Sequence, residues 1–261
     1  MSSTDISSAD GSLAAARAGS KKAFIPIECN PTVMSSLAHN LGLSPALSFH
    51  DVFSISDPEL LAFVPRPALA LLLVFPISEA VAKQRLEEDS KHPDYKGKGD
   101  EEPVVWFKQT IKNACGLMGL LHAICNGEAR EQIETDSKLA VPGSPLEGFL
   151  KEAIPLDPFG RIHLLETSST LESMHTSAAT QGDTAAPDAN DEVELHYVCF
   201  VKGKDGHLYE LDGARNGPVD LGELGDEDVL GDKAREVVQG YIERGAGNVS
   251  FSLISLGAGF D

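Results

Sequence analysis

The longest apolar run in the chain is Ala68 to Ile77, ALALLLVFPI. A helix that crosses a bilayer needs about 20 such residues, so this run is about half the length of a span. It has no polar residue at alternate positions, and it reads as a strand buried on both faces. The fold must therefore cover a sheet from two sides. With 261 residues, 42% hydrophobic and 23% charged, the chain can build one large domain of that kind.

The segments on either side supply the covering. Phe24 to Ile27 reads as a short strand. Asn30-Pro31 opens a helix with N-cap and N1 chemistry, carries Val33, Met34, Leu37 and Leu41 on one face, and stops at Gly42. A strand is expected over Leu47 to Phe53, and Ser56-Asp57-Pro58-Glu59 starts a short helix leading into the apolar strand. Lys83 to Glu102 is charged, contains Gly97 and Gly99, and reads as a helix end followed by an exposed loop. Gly127 to Leu165 reads as short helical pieces broken by Pro142, Pro145, Pro155 and Pro158. Asp226 to Arg244 forms a helix with Val229, Leu230, Val237, Val238, Tyr241 and Ile242 inward, and Asn248 to Leu256 is a final strand. This irregular alternation, with at least one hairpin, gives an α+β fold with helices flanking a largely antiparallel sheet.

Lys and Arg number 21 against 40 Asp and Glu, a net charge of −19. That balance argues against nucleic acid and anionic membrane as partners and allows a basic peptide or protein, although it also serves plain solubility. Cys29, Cys115, Cys125 and Cys199 show neither CxxC nor metal-ligand spacing, so neither a metal nor another cofactor is expected. They read as reduced thiols of a cytosolic or nuclear protein, with Cys29, Cys125 and Cys199 structural. Met1 to Lys22 is rich in Ser, Ala and Gly and lacks an apolar signal core, which suggests a disordered tail before a single domain over residues 23–261.

One thiol stands apart. In Val104 to Gly127, VVWFKQTIKNACGLMGLLHAICNG, a polar turn leads into an apolar helix. Asn113 is the expected N-cap, which places Cys115 in the first turn, where free N–H groups and the positive end of the macrodipole favour a thiolate. The same N–H groups suit a developing oxyanion, and the Gln109 amide lies close enough in sequence to donate a second bond. Gly116 and Gly119 leave one side of that turn bare for an extended substrate. A Cys among Leu, Met and Ala also reads as a small buried hydrophobe. A nucleophile needs a base, and His122 is not it: seven residues at about 1.5 Å rise put it roughly 10 Å further along the helix.

A better base lies near the end of the chain. His196 to Val201 and His207 to Asp212 read as two strands joined by the turn Lys202 to Gly206. If Val201 opposes His207, His196 opposes Asp212 on the same face. The carboxylate would then accept the imidazole Nδ1–H and leave Nε2 for the thiol proton. Such a His and Asp could equally be an ordinary buried pair. Gln109, Cys115, His196 and Asp212, taken together, fit a thiol-hydrolase arrangement. Glu166 to Asp191, rich in Ser, Thr, Ala and Asp, has almost no apolar periodicity and would hang beside that site as a loop.

The segments QTIKNACGLMGLLHAICN, ELHYVCFV, GHLYELDG and DPELLAFVPRPALALLLVFPIS together resemble the ubiquitin carboxyl-terminal hydrolase family of cysteine peptidases, in its short form without a C-terminal extension. The similarity spans about Phe24 to Leu256. It implies Cys115 as nucleophile, Gln109 as oxyanion donor, His196 as general base and acid, and Asp212 as its orienter. It also implies a papain-like core with a knotted backbone, and a crossover loop over the active site at Glu166 to Asp191 that limits leaving-group size. The implied reaction is hydrolysis of an amide, isopeptide or thioester after ubiquitin's C-terminal glycine, by a monomer acting on ubiquitin or a ubiquitin-like protein such as NEDD8. The rival expectation is a catalytically silent ubiquitin-binding module of the same fold.

Overall fold

The computed structural model describes residues 22–77, 79–134, 141–191, 193–245 and 250–260. Of the expected tail, residues 1–21 lie outside them; Lys22 is described, and its Nζ pairs with Glu172 at 2.6 Å.

Six strands form one sheet: β1 (Leu47–Asp51), β2 (Ala70–Pro76), β3 (Leu195–Lys202), β4 (His207–Leu211), β5 (Val219–Glu223) and β6 (Ser252–Ala258). Their spatial order is β1-β6-β2-β3-β4-β5, and each neighbouring pair is antiparallel. The apolar run is β2, one of the two innermost strands, and the period of two along it splits its side chains between two cores. Ala70, Leu72 and Val74 enter the core beneath α1 (Pro31–Leu41) and α4 (Cys115–Ile124). Leu71, Leu73 and Phe75 enter the other, which α9 (Asp232–Arg244) closes with Ala234, Val238 and Tyr241. An α+β architecture with both sheet faces covered follows directly.

The remaining helices among the described residues are α2 (Pro58–Leu61), α3 (Glu79–Asp89), α5 (Gly127–Glu134), α6 (Pro145–Ala153), α7 (Pro158–Thr167) and α8 (Ser169–Ala179). The expected caps of α1 and α2 are in place: Asn30 accepts from the N–H of Thr32 and Val33, Asp57 from Glu59 and Leu60, and Gly42 ends α1 at φ 115°. Pro145 and Pro158 do not break helices but begin them, each at N1 behind a capping Ser144 or Asp157.

Other differences have equally local causes. Phe24 to Ile27 is not a strand, since its pairing stops at one bridge, Ala23 with Lys112. β1 ends at Asp51, and Phe53 is 72% exposed. β6 runs from Ser252 to Ala258; the start expected for it falls at residues 248 and 249, outside the described residues. The charged loop after α3 is not wholly exposed, because Glu102 turns inward to pair with the buried Arg161 of α7, whose guanidinium also donates to the carbonyls of Ala153 and Trp106. In Glu166 to Asp191, α7 continues to Thr167, Ser168 caps α8, and irregular chain begins only at Thr180. Helix α8 buries Leu171, His175, Ala178 and Ala179, a helical stripe made mostly of residues too small or too polar to register as apolar periodicity.

Candidate active site

Helix α4 starts at Cys115, but Asn113 does not cap it. The Ala114 position makes no side-chain cap, while Asn113 takes a left-handed conformation at φ 58°. Asn is the residue after Gly that tolerates this best. The turn sends its amide outward, where Nδ2 donates to the carbonyls of Ala189 and Asp191, each at 3.0 Å. The residue expected to serve the helix therefore holds the crossing chain instead.

No capping side chain takes up the N–H groups at this helix start. Those of Cys115 and Gly116, together with the Tyr197 N–H from β3, are aimed at the sulfur and favour its thiolate, yet burial outweighs them and pushes the Cys115 thiol up. The expectation of a lowered thiol pKa fails for that reason. Gly116 and Gly119 also serve a different purpose from the one expected. A Cβ on Gly116 would lie 3.3 Å from Ile27 and one on Gly119 would lie 3.3 Å from Leu72, with Tyr197 next to both. They let α4 lie close on the sheet and so bring Cys115 up to β3.

His196 and Asp212 meet by a register other than the expected one. Cys199 pairs with Leu211, Phe200 with Glu210 and Val201 with Tyr209, a shift of two residues from the pairing that sequence suggested. The turn explains it. Gly203 N–H bonds to His207 O at 2.8 Å, and Gly206 at φ 80° closes a three-residue loop, one of the preferred hairpin connections. An even shift keeps every side chain on its face. His196 and Asp212 thus remain on one side as diagonal neighbours, with Nε2 of the imidazole 2.8 Å from Oδ1 of the carboxylate. The nitrogen on the carboxylate is Nε2, not the expected Nδ1. With Nε2–H donating, Nδ1 becomes the ring's proton acceptor.

Asp212 is almost fully buried and well surrounded. Oδ1 also accepts the Ala214 N–H at 2.7 Å, Oδ2 faces the guanidinium of Arg85, and the backbone carbonyl takes the Trp106 indole N–H at 3.0 Å. Burial, and then the nearby Arg85 charge, pushes His196 down to about 3. Both directions favour the neutral form, thiol for Cys115 and imidazole for His196.

Gln109 lies beside the same turn, its N–H bonded to Gly213 O at 2.9 Å. Its Nε2 donates to Ile111 O at 3.1 Å, and its buried Oε1 has no hydrogen-bond partner among the described residues. His122 is fully buried, accepts the Phe107 N–H on Nε2 at 3.0 Å and stacks on the Phe107 ring. Burial pushes it down to about 3, as suits a packed histidine.

Cys115 opens onto a cleft of about 410 Å³ that Asn113, Cys29, Thr184, Pro187 and Tyr197 help to line. The chain over residues 180–191 forms one wall. Besides Asn113, it is held by Lys112 Nζ on Asn190 O at 2.5 Å, by Glu28, which accepts from the Thr184 N–H and hydroxyl at 3.0 and 2.5 Å, and by Asn30 on Asp183 at 3.0 Å. Sequence reasoning missed Glu28 and Arg85. Glu28 follows the apolar Phe24 to Ile27 and Arg85 stands among other charges between Lys83 and Asp89, and only the fold gives each its partner.

Residues 24–243 match the family described as ubiquitin carboxyl-terminal hydrolase, family 1. Ubiquitin carboxyl-terminal hydrolase 3 of Arabidopsis thaliana is 37% identical over 243 residues, 93% of this chain and 97% of that protein. A ubiquitin carboxyl-terminal hydrolase of Aplysia californica is 38% identical over 226 residues, covering 86% and 97%. Among solved structures, the UCH37 catalytic domain of Trichinella spiralis superposes with a TM-score of 0.68 over 93% of this chain and 99% of its own, a likeness of fold at 19% identity. With a family match over most of its length and relatives of this identity, the chain belongs to the ubiquitin carboxyl-terminal hydrolases.

Proposed function

We propose that Cys115 is the nucleophile of this deubiquitinating thiol hydrolase and that His196, Asp212 and Gln109 complete its machinery. Nδ1 of His196 takes the Sγ proton as sulfur bonds to the carbonyl carbon of ubiquitin's last glycine. The Cys115 N–H and the Gln109 amide receive the oxyanion, the latter after it leaves Ile111 O. The imidazolium then gives its proton to the departing amine as the C–N bond breaks, leaving a thioester on Cys115. A water, deprotonated by His196, attacks that thioester and releases ubiquitin's carboxylate together with the restored thiol. Asp212 holds the ring by Nε2–H throughout and stabilises the transient imidazolium.

The observation that carries this assignment is the 2.8 Å His196–Asp212 contact on β3, the strand that also aims the Tyr197 N–H at the Cys115 sulfur. The lowered His196 and raised Cys115, both moved mainly by burial, are in keeping with general-base chemistry timed to attack. The partner we assign is ubiquitin, acted on by a monomer in the cytosol or nucleus. The Trichinella UCH37 domain was captured with ubiquitin vinyl methyl ester, and the charge of −19 here suits the arginines near ubiquitin's C-terminus. The wall at residues 180–191 favours small or flexible leaving groups.

The test is turnover of ubiquitin carrying a fluorescent C-terminal amide, beside the same substrate made from NEDD8, and capture by a ubiquitin bearing a C-terminal electrophile. An adduct on Cys115 and preferential ubiquitin turnover are expected. Failure to form the adduct would return the chain to a silent binding module, and binding that does not weaken with added salt would remove the electrostatic part of the argument.

A further inference from the structure

Asp212 has an unusual neighbour. Oδ1 is occupied by the His196 imidazole and the Ala214 N–H, and Oδ2 meets the guanidinium of Arg85, which α3 carries. Both side chains are largely buried, with side-chain exposures of 12% for Arg85 and 0% for Asp212. Arg85 also lies 5.8 Å from the centre of the Phe75 ring, and Phe75 in turn packs edge-on against His196. The same helix grips the chain just after Asp212. Arg215 donates to Glu88 through both terminal nitrogens at 3.0 Å and lies 3.1 Å from Asp89, while Asn216 Nδ2 reaches the Asp89 carbonyl at 3.0 Å. The Arg215 N–H closes the ring on Asp212 O at 3.1 Å. Helix α3 therefore meets the carboxylate directly and its backbone indirectly.

We propose that Arg85 is a positioning residue for the hydrolytic reaction, fixing the plane and the ionised state of the Asp212 carboxylate from the side opposite His196. The inference rests on Asp212 acting as the orienter of His196. A buried carboxylate with one oxygen uncompensated is costly, and it would relieve that cost by rotating or by taking a proton. Either change would loosen the Nε2 bond. Arg85 prevents both, and its positive charge also disfavours the imidazolium outside turnover.

Several charges surround this pair, and Glu88, His92, Glu236 and Arg244 line the same cavity as Arg85. His196 meets Asp212 behind β4, the Phe75 ring of β2 and the charge of Arg85 on α3. Arg85 itself is influenced by Glu210 of β4, Tyr241 of α9, and Arg215 and Asp89 beside it. Its outer side lines a cavity of about 510 Å³ between α3, β4 and α9, wide enough for a free guanidinium ion.

The test compares Arg85→Ala, Arg85→Lys and Asp212→Asn on ubiquitin with a fluorescent C-terminal amide, with circular dichroism to verify the fold. Arg85→Ala is expected to lower kcat about ten- to a hundredfold, the range seen for other outer-shell partners, with KM within about twofold. Losing the cation makes His196 easier to protonate, so the acidic limb of kcat/KM should move to higher pH. Arg85→Lys should restore the limb, and low-millimolar guanidinium, entering the cavity, should recover part of kcat in the Ala variant. Combined with Asp212→Asn, the Arg85→Ala change should add little further loss. An Arg85→Ala enzyme with wild-type kcat and an unmoved limb overturns the proposal. If Asp212→Asn is also harmless, the role of Asp212 fails instead, so the two failures are distinguishable. Should the Ala variant not fold, the Lys variant carries the test: a loss of kcat with the limb in place supports the positioning role, and unchanged kcat refutes it.

Discussion

The two walls of the cleft beside Cys115 are built on opposite principles. On one side, the cleft is lined by Leu195 and Tyr197 of β3, whose ladder with β4 completely buries Val198, Cys199, Phe200, Val201, Leu208 and Leu211 and carries the His196–Asp212 pair at its end. On the other, residues 180–191 are nearly all exposed, and side chains of Glu28, Asn30, Lys112 and Asn113 hold them at a few points. Dense packing fixes distances to fractions of an ångström, which proton transfer demands. A strap held by single hydrogen bonds, each worth about 0.5–1.5 kcal/mol, can yield locally while the other wall stands. On the proposed assignment, chemistry is set on the packed wall and access on the strap.

The hardest blow to this division comes from the packed wall. Cys115→Ala should abolish turnover of the ubiquitin amide, by about 10⁴-fold or more, while ubiquitin binding measured by titration stays within a few-fold. His196→Ala should come close to the same loss. His122→Ala offers the control from within α4: it leaves the buried Phe107 N–H without its acceptor, at a cost of about 1–3 kcal/mol of stability, with kcat of the folded enzyme little changed. If His122→Ala proved the worse lesion in kcat, the packed wall would have its base in the wrong place.

Much of that wall was legible in sequence because strands and caps obey local rules. The alternation along Ala70 to Pro76, the Asn30 and Asp57 caps and the parity of His196 with Asp212 all follow from periods of two or from a single side chain over a helix end. The hairpin register was misjudged by two residues, yet parity survived, so the pairing of functional groups did too. What could not be read were interactions set by tertiary placement. Asn113 looks like an N-cap by type and position, and only the approach of the chain at Ala189 and Asp191 gives its amide a stronger use. Glu102 meets Arg161 from 59 residues away, and Arg85 reaches Asp212 across the sheet's edge, neither with any signal in its own neighbourhood. Gly116 and Gly119 signal close approach of some backbone or side chain, but not whether it belongs to substrate or to the protein's own sheet.

Acid distinguishes the walls next. His122 and His196 on the packed side are pushed down to about 3 by burial, and His175, which from α8 holds the Ile25 carbonyl beneath the strap, to about 4. Each binds a proton in the unfolded chain near the ordinary 6.5 but not in the folded one. Stability is therefore full above about pH 6.5 and is lost as pH falls toward 3–4, each ring weakening folding roughly tenfold per pH unit in that window. Denaturant midpoints between pH 7 and 4.5 should fall steeply. A flat profile would mean the three rings are wetter than their packing implies.

The smallest expected effect bears on the strap alone. Asn113→Gly keeps the left-handed backbone, which Gly adopts freely, and deletes only the amide that holds the Ala189 and Asp191 carbonyls. Two hydrogen bonds of that kind, about 1–3 kcal/mol together, bound the gain in strap mobility at about a hundredfold. Turnover of ubiquitin with a small C-terminal amide should stay near wild type, since the His196–Asp212 wall is untouched. Turnover of ubiquitin fused to a folded protein should rise several-fold, so that the ratio of the two rates, measured on one preparation, reports the strap without reference to folding. A ratio equal to that of the wild type would show that the amide does not govern passage, and would move the control of leaving-group size to Glu28 and Thr184 at the other end of the same wall.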